Sequence, residues 1–121
     1  MRVLVADDDP EMLEMVAGIA KRELGAEVTR ATSGHELLEM LADGDWDLII
    51  TDISMPWMTG MQVMHSVRTA GLPVPVVVMT ALQGAEIADQ VDALGQRARL
   101  IRKPFSFEEL LAAISAVEHA A

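Results

Sequence analysis

Short apolar runs alternate along this sequence with longer stretches of helical period. Arg2 to Ala6, Ala26 to Ala31, Leu48 to Thr51, Val76 to Met79 and Arg99 to Arg102 have the length of strands. Val76 to Met79 is apolar without alternation, the mark of a parallel strand covered on both faces. After the first run, Asp9-Pro10 offers an N-cap followed by proline at the first helical position, and Leu13, Val16, Ala17, Ala20 and Leu24 recur at helical spacing until Gly25. Ser33-Gly-His-Glu36 and Ser106-Phe-Glu-Glu109 both have the form of a capping box. The first predicts a helix with Leu37, Leu38 and Leu41 inward, and the second a helix with Phe107, Leu110, Leu111, Ile114 and Val117 at core spacing. Asp43-Gly44-Asp45 turns the chain toward its central strand. A third helix after Gly60 carries Val63, Met64 and Val67 up to the break at Gly71-Leu-Pro-Val-Pro75. Gly84 to Leu94 predicts a fourth, with Ile87, Val91 and Leu94 on one side. Five strands alternating with five helices predict an α/β fold with a parallel sheet, right-handed crossovers and helices on both faces.

Composition narrows the functional classes. A chain of 121 residues has the size of one domain, 1–121, with room for a single core but not for an additional DNA-binding or enzymatic output domain. Output is therefore expected through a partner, or through part of a longer polypeptide. Without cysteine there is neither a disulfide framework nor thiolate chemistry, which is compatible with a reducing compartment. No apolar stretch approaches bilayer length, so the expectation is a soluble cytoplasmic protein without membrane contact. A net charge of -10 argues against direct nucleic-acid binding. Nine methionines, in a chain with no tyrosine, are expected to fill part of the core volume that aromatics would otherwise occupy.

Candidate chemistry collects at the strand ends. Leu48 to Thr51 runs into Asp52, then at once into a Met55-Pro56 loop that finishes on Gly60. In open α/β sheets ligands sit at such carboxyl ends, where exposed loops are held by rigid strands. Asp7, Asp8 and Asp9 follow the first strand, Thr80 the fourth and Lys103 the fifth. Taken singly, the acidic triplet reads as a helix cap with a solvated charge run, Thr80 as a cap, and Asp52 as a structural carboxylate. Their joint occurrence at four strand ends changes that balance.

In this order and spacing, Asp7-Asp8, Asp52-x-x-Met55-Pro56-x-Met58-x-Gly60, Thr80 and Lys103-Pro104-Phe105 resemble the receiver domain of two-component response regulators across the whole chain. The resemblance implies a doubly wound, flavodoxin-like fold with five helices around a five-stranded parallel sheet of order 2-1-3-4-5. It implies that Asp52 takes a phosphoryl group from a histidine kinase or phosphotransfer protein, and that this switches binding to a partner or output module. The protein would then catalyse only its own phosphorylation and dephosphorylation. A carboxylate attacking phosphorus needs positive charge to offset anionic repulsion, and Mg²⁺ supplies it while retaining waters. By the resemblance, Asp8 and Asp52 are direct Mg²⁺ ligands, Ser54 contributes its backbone carbonyl, and Asp7 acts through a coordinated water. Lys103 meets one phosphoryl oxygen, the Thr80 hydroxyl another, and a cis bond before Pro104 aims the lysine over the sheet.

Departures from the family pattern concern output. Leu100 stands three residues before the lysine, where receivers commonly carry Tyr or Phe, and Gly95 lies one position further from Lys103 than is usual. Switching is then expected through Thr80, the loop 81–85 and the next helix. Arg97, Arg99 and Arg102 are unusual in a chain with nine basic residues. They read either as solvated charges at a sheet edge or, with the fourth and fifth helices, as a face for an acidic partner or a second copy of the domain whose affinity phosphorylation raises, Arg99, Leu100 and Arg102 marking that output face. Ser54 and Leu82, two residues beyond Asp52 and Thr80, border the path of attacking water by family analogy.

Rival readings fit less of the chain. A Mg²⁺-dependent phosphohydrolase with Asp7-x-Asp9 as its nucleophile motif would leave Asp52 without a role. A receiver-like module that only binds protein would not require the complete Asp8, Asp52, Thr80 and Lys103 set. A flavin binder would need a phosphate-cradling loop after the first strand. His35, His65 and His119 read as surface residues, and Trp57 has no assigned catalytic role.

Overall fold

A computed structural model of the chain describes residues 1–42, 44–54, 60–69, 74–82 and 84–119. Ten elements follow one another without repetition of type: β1 (Arg2–Ala6), α1 (Pro10–Leu24), β2 (Glu27–Ala31), α2 (Gly34–Ala42), β3 (Leu48–Asp52), α3 (Gly60–Thr69), β4 (Val76–Thr80), α4 (Ala85–Asp92), β5 (Ala98–Arg102) and α5 (Phe107–Glu118). The strands form one parallel sheet in the order β2-β1-β3-β4-β5. Asp43 of the predicted turn, the stretch 55–59 with Pro56, Trp57 and Met58, the helix break at 71–73, Gln83, and the Val67 side chain lie outside the described residues.

The period of two along each strand divides the core into two layers. Val3, Val5, Leu48, Ile50, Val77, Met79 and Ile101 meet α1 and α5. Their alternates Leu4, Ala6, Ile49, Val76, Val78 and Ala98 meet α2, α3 and α4. Central β3 and β4 are buried at every position, which accounts for their unbroken apolar runs. The edge strands β2 and β5 instead carry exposed Glu27 and Arg99.

Local chemistry places the helix ends. Asp9 Oδ1 accepts from Glu11 N at 3.0 Å and Pro10 opens α1. At the other end Gly25 takes a left-handed conformation, φ 61, and its N–H donates to Lys21 O, the 5→1 bond of an αL cap, while the Ala26 N–H reaches Ala20 O at 3.5 Å. Ser106 and Glu109 form the full reciprocal capping box of α5. At α2 the box is only half made. Ser33 Oγ accepts from Glu36 N at 3.1 Å, but the Glu36 carboxylate reaches one residue further back, to the amide and hydroxyl of Thr32. Those bonds, the hydroxyl's first, hold the Glu36 pKa below its ordinary value.

Two expected core positions face solvent. Leu38 is 38 % exposed, with Met40 packed inward instead. Phe107, in the first turn of α5, is 40 % exposed, and Phe105 packs on the core in its place. The fourth helix starts at Ala85, with Gly84 as a cap, and β5 begins one residue earlier than expected, at Ala98. Among the described residues no helix is long and apolar enough to cross a membrane.

Candidate functional site

Parallel pairing brings every strand's carboxyl end to one edge of the sheet, and the register aligns them. Ala6 sits opposite Thr51, Asp52 opposite Met79 and Thr80 opposite Arg102, so Asp7, Asp52, Thr80 and Lys103 end up side by side. Three of these positions share one local motif. The side chain closing the strand accepts from the backbone N–H two residues on: Asp7 Oδ1 from Asp9 N at 2.9 Å, Asp52 Oδ1 from Ser54 N at 3.1 Å, and Thr80 Oγ1 from Leu82 N at 2.9 Å. Asp and Thr are the residue types that make such turns, so the turn that ends each strand also fixes a polar side chain.

Lys103 joins the two buried acids. Its Nζ donates to Asp7 Oδ2 at 2.9 Å and to Asp52 Oδ2 at 3.2 Å. Its backbone N–H donates to Thr80 O at 2.6 Å, and the Lys103-Pro104 peptide bond is cis. Asp7 is 0 % and Asp52 6 % exposed, whereas Asp8 faces solvent. Burial pushes the Asp52 carboxyl above its ordinary pKa; Ser54 N–H and Lys103 pull against that rise, and the Asp7 charge adds to it. Burial alone would lower Lys103, but its bonds to Asp7 and Asp52 and their charges outweigh it and raise the ammonium pKa.

Asp7, Asp8 and Asp52 each place a carboxylate oxygen within 4.8 Å of the others. A set of hard anionic oxygens suits Mg²⁺, Ca²⁺ or Mn²⁺ rather than a soft metal. Both oxygens of Asp7 accept a hydrogen bond, and the residue is closed to solvent. Asp52 likewise has one oxygen on the Ser54 N–H and the other beside the Lys103 ammonium, but it keeps a small exposed fraction where Asp7 has none.

The remaining sequence candidates separate. Arg99 is exposed, and Leu100 is half-buried against the α2-α3-α4 layer. Arg102 is also half-buried, its guanidinium donating to the carbonyls of Leu82 and Gly84. His35 is exposed and pairs with Glu39 at 2.8 Å, while His65 and His119 are exposed as well. Spacing did not reveal the backbone donors Asp9 N and Ser54 N or the Arg102 contacts, because main-chain donors carry no residue signature. A cavity of about 340 Å³ lined by Trp46, Asp47, Pro75 and Arg97 lies at the opposite edge, before the strands start, and has no part in this constellation.

Residues 3–115 match the response regulator receiver domain family. The transcriptional regulatory protein DltR of Streptococcus agalactiae is 36% identical over 115 residues, 94% of this chain and 50% of that protein. Response regulator MprA of Mycobacterium leprae is 36% identical over 121 residues, 97% of this chain and again 50% of the relative. The chain thus spans about half the length of the curated relatives it matches. Chemotaxis response regulator CheY4 of Vibrio cholerae superposes with a TM-score of 0.83 at 31% identity, covering 96% of this chain and 97% of that one. The receiver domain of Francisella response regulator 1452 gives a TM-score of 0.81 at 28% identity over 97% and 95% of the two chains.

Proposed function

The chain belongs to the receiver domain family of two-component response regulators, and on that premise we propose that Asp52 is its phosphoacceptor. Receiver domains are signalling domains rather than enzymes that turn over an external substrate. The observation that carries the reading is the Lys103 ammonium shared between Asp7 and Asp52, with Asp8 completing a cluster of three carboxylates.

An Asp52 carboxylate oxygen attacks the phosphorus of the donor, the bond from phosphorus to the donor breaks, and the donor leaves with that electron pair. For a histidine kinase or phosphotransfer protein the leaving group is an imidazole. Lys103 offsets the added anionic charge from the side it already occupies, and the Thr80 hydroxyl, whose acceptor site is taken by Leu82 N, keeps its proton to donate. Mg²⁺ would be held by Asp8 and Asp52, with the Ser54 carbonyl and Asp7 through water, and when bound it neutralises phosphoryl charge. Hydrolysis of the acyl phosphate returns Asp52 to its starting state. Output passes to a partner or to a further module of the polypeptide, and exposed Arg99 on β5 offers a basic contact for an acidic partner or a second copy.

Intact-mass analysis after incubation with acetyl phosphate tests the assignment. One phosphoryl adduct should form with Mg²⁺ present, and neither excess chelator nor Asp52→Ala should give it. Equal yield on Asp52→Ala overturns the site, full yield in chelator removes the cation, and turnover of a phosphomonoester lost on Asp7→Asn but kept on Asp52→Asn would favour a hydrolase.

A further inference from the structure

Arg102, the last residue of β5, is tied to the segment that follows β4. Its NH1 donates to Leu82 O and its NH2 to Gly84 O at 3.2 Å. Leu82 is in turn bonded through its own N–H to Thr80 Oγ1 at 2.9 Å, and Thr80 O accepts from the Lys103 N–H at 2.6 Å. With Thr80 and Arg102 paired in register, these bonds close a ring that runs from Arg102 through Leu82 and Thr80 to the residue next to Arg102.

A second observation concerns the start of α4. Its N-cap is Gly84, which makes no side-chain cap bond, so the helix entry lacks the local anchor that Asp9 supplies to α1 and Ser106 to α5. The guanidinium on Gly84 O does not cap the free N–H groups of α4, but it tethers the backbone at the helix entry to the neighbouring strand. Charge-assisted bonds of this kind are stronger than neutral ones, and the guanidinium offers two separate nitrogens, NH1 to Leu82 O and NH2 to Gly84 O, a fixed spread that the single nitrogen of an ammonium does not reproduce.

We propose that Arg102 is a positioning residue for phosphoryl transfer: by holding the backbone at Leu82 and Gly84 it keeps the Thr80 hydroxyl presented to the phosphoryl group arriving at Asp52. Arg102 acts through Leu82 and Thr80 and does not itself touch the reacting atoms. This role rests on Asp52 being the acceptor, and it separates Arg102 from Arg99, whose side chain faces solvent.

The test compares time courses of Mg²⁺-dependent labelling by acetyl phosphate, at saturating donor, for wild type, Arg102→Ala, Arg102→Lys, Thr80→Ala and the Thr80→Ala/Arg102→Ala pair. Arg102→Ala should label about tenfold more slowly, a smaller loss than the roughly hundredfold that a misplacement of a catalytic group by about 1 Å can cost. Arg102→Lys keeps the charge but loses the fork, and should show most of the same loss. In the Thr80→Ala background, removing Arg102 should change the rate by less than about twofold, the non-additivity expected of residues acting in one chain. A wild-type rate for Arg102→Lys would reduce the effect to attraction of an anionic donor and overturn the proposal. So would an undiminished loss in the Thr80→Ala background, or no loss in Arg102→Ala. Hydrogen exchange on unphosphorylated protein reads the clamp separately. In Arg102→Ala the Leu82 amide should exchange faster while Val77 to Met79 keep their protection, and unchanged Leu82 exchange refutes the clamp. If wild type takes no label at all, the assignment of Asp52 fails while the exchange result still stands.

Discussion

Replacing Asp52 with asparagine, in chelator and without phosphodonor, should stabilise the fold even though it removes an ion pair. Lys103 Nζ lies 3.2 Å from Asp52 Oδ2, and the Asp7 and Asp52 carboxylates approach within 4.8 Å. At an effective dielectric constant of about 20, Coulomb's law gives about 5 kcal/mol of attraction at the first distance and about 3.5 kcal/mol of repulsion at the second. Asp8 is exposed, so its repulsion is screened to about 1 kcal/mol. The charge interactions at Asp52 therefore nearly cancel. What decides the sign is the cost of holding a carboxylate out of water, and burial is also the largest influence raising the Asp52 pKa. Asparagine keeps an acceptor for Ser54 N–H and leaves Lys103 paired with Asp7 at 2.9 Å, while losing one charge-assisted bond. The expected net gain is about 1–2 kcal/mol. In a domain of this size that raises the unfolding midpoint by roughly 3–8 °C. Thermal melts followed by circular dichroism measure it. A loss of about 3–5 kcal/mol, the usual result of stripping one partner from a buried pair, would show that the Lys103 attraction dominates and that the carboxylates do not crowd one another.

Mg²⁺ should raise the wild-type midpoint by linkage, by about 2.7 kcal/mol of stability at a hundred times its dissociation constant, and calorimetric scans of Asp8→Asn should show little of that rise. Leu100→Ala, at a half-buried edge position, should cost about 1–2 kcal/mol in urea titrations yet leave acetyl phosphate labelling near wild type; lost labelling would mean that position 100 couples to the site. Arg99→Glu should change stability by no more than about 0.5 kcal/mol, because its side chain is exposed, while weakening association with an acidic partner in a salt-sensitive way measurable by titration at two ionic strengths. Gly25→Ala should cost about 1 kcal/mol by chemical denaturation, since φ 61 is open to glycine and strained for alanine; no change would mean that the α1 terminus relaxes freely.

What the sequence determined by itself was whatever depends on neighbours along the chain. Strand and helix positions follow from periods of 2 and 3.6, and the ends of α1 and α5 from Asp9-Pro10, Gly25 and Ser106-x-x-Glu109, because those caps form within a few residues. The four strand-end groups were legible too, since parallel strands must deliver their carboxyl ends to one edge; the strand order itself came from family resemblance. Tertiary structure decided which flank of each amphipathic helix was covered. Periodicity marks an apolar arc without saying how far the sheet extends beneath it, and so Leu38 and Phe107 look like core yet face water, while Met40 and Phe105 pack inward. It also decided the electrostatics. Lys103 meets Asp7 across 96 residues and Asp52 across 51, and Arg102 meets Leu82 across 20. No local pattern encodes those pairings, because burial and partner geometry, which set the pKa of Asp52 and the hold on the segment after β4, exist only once distant strands lie side by side.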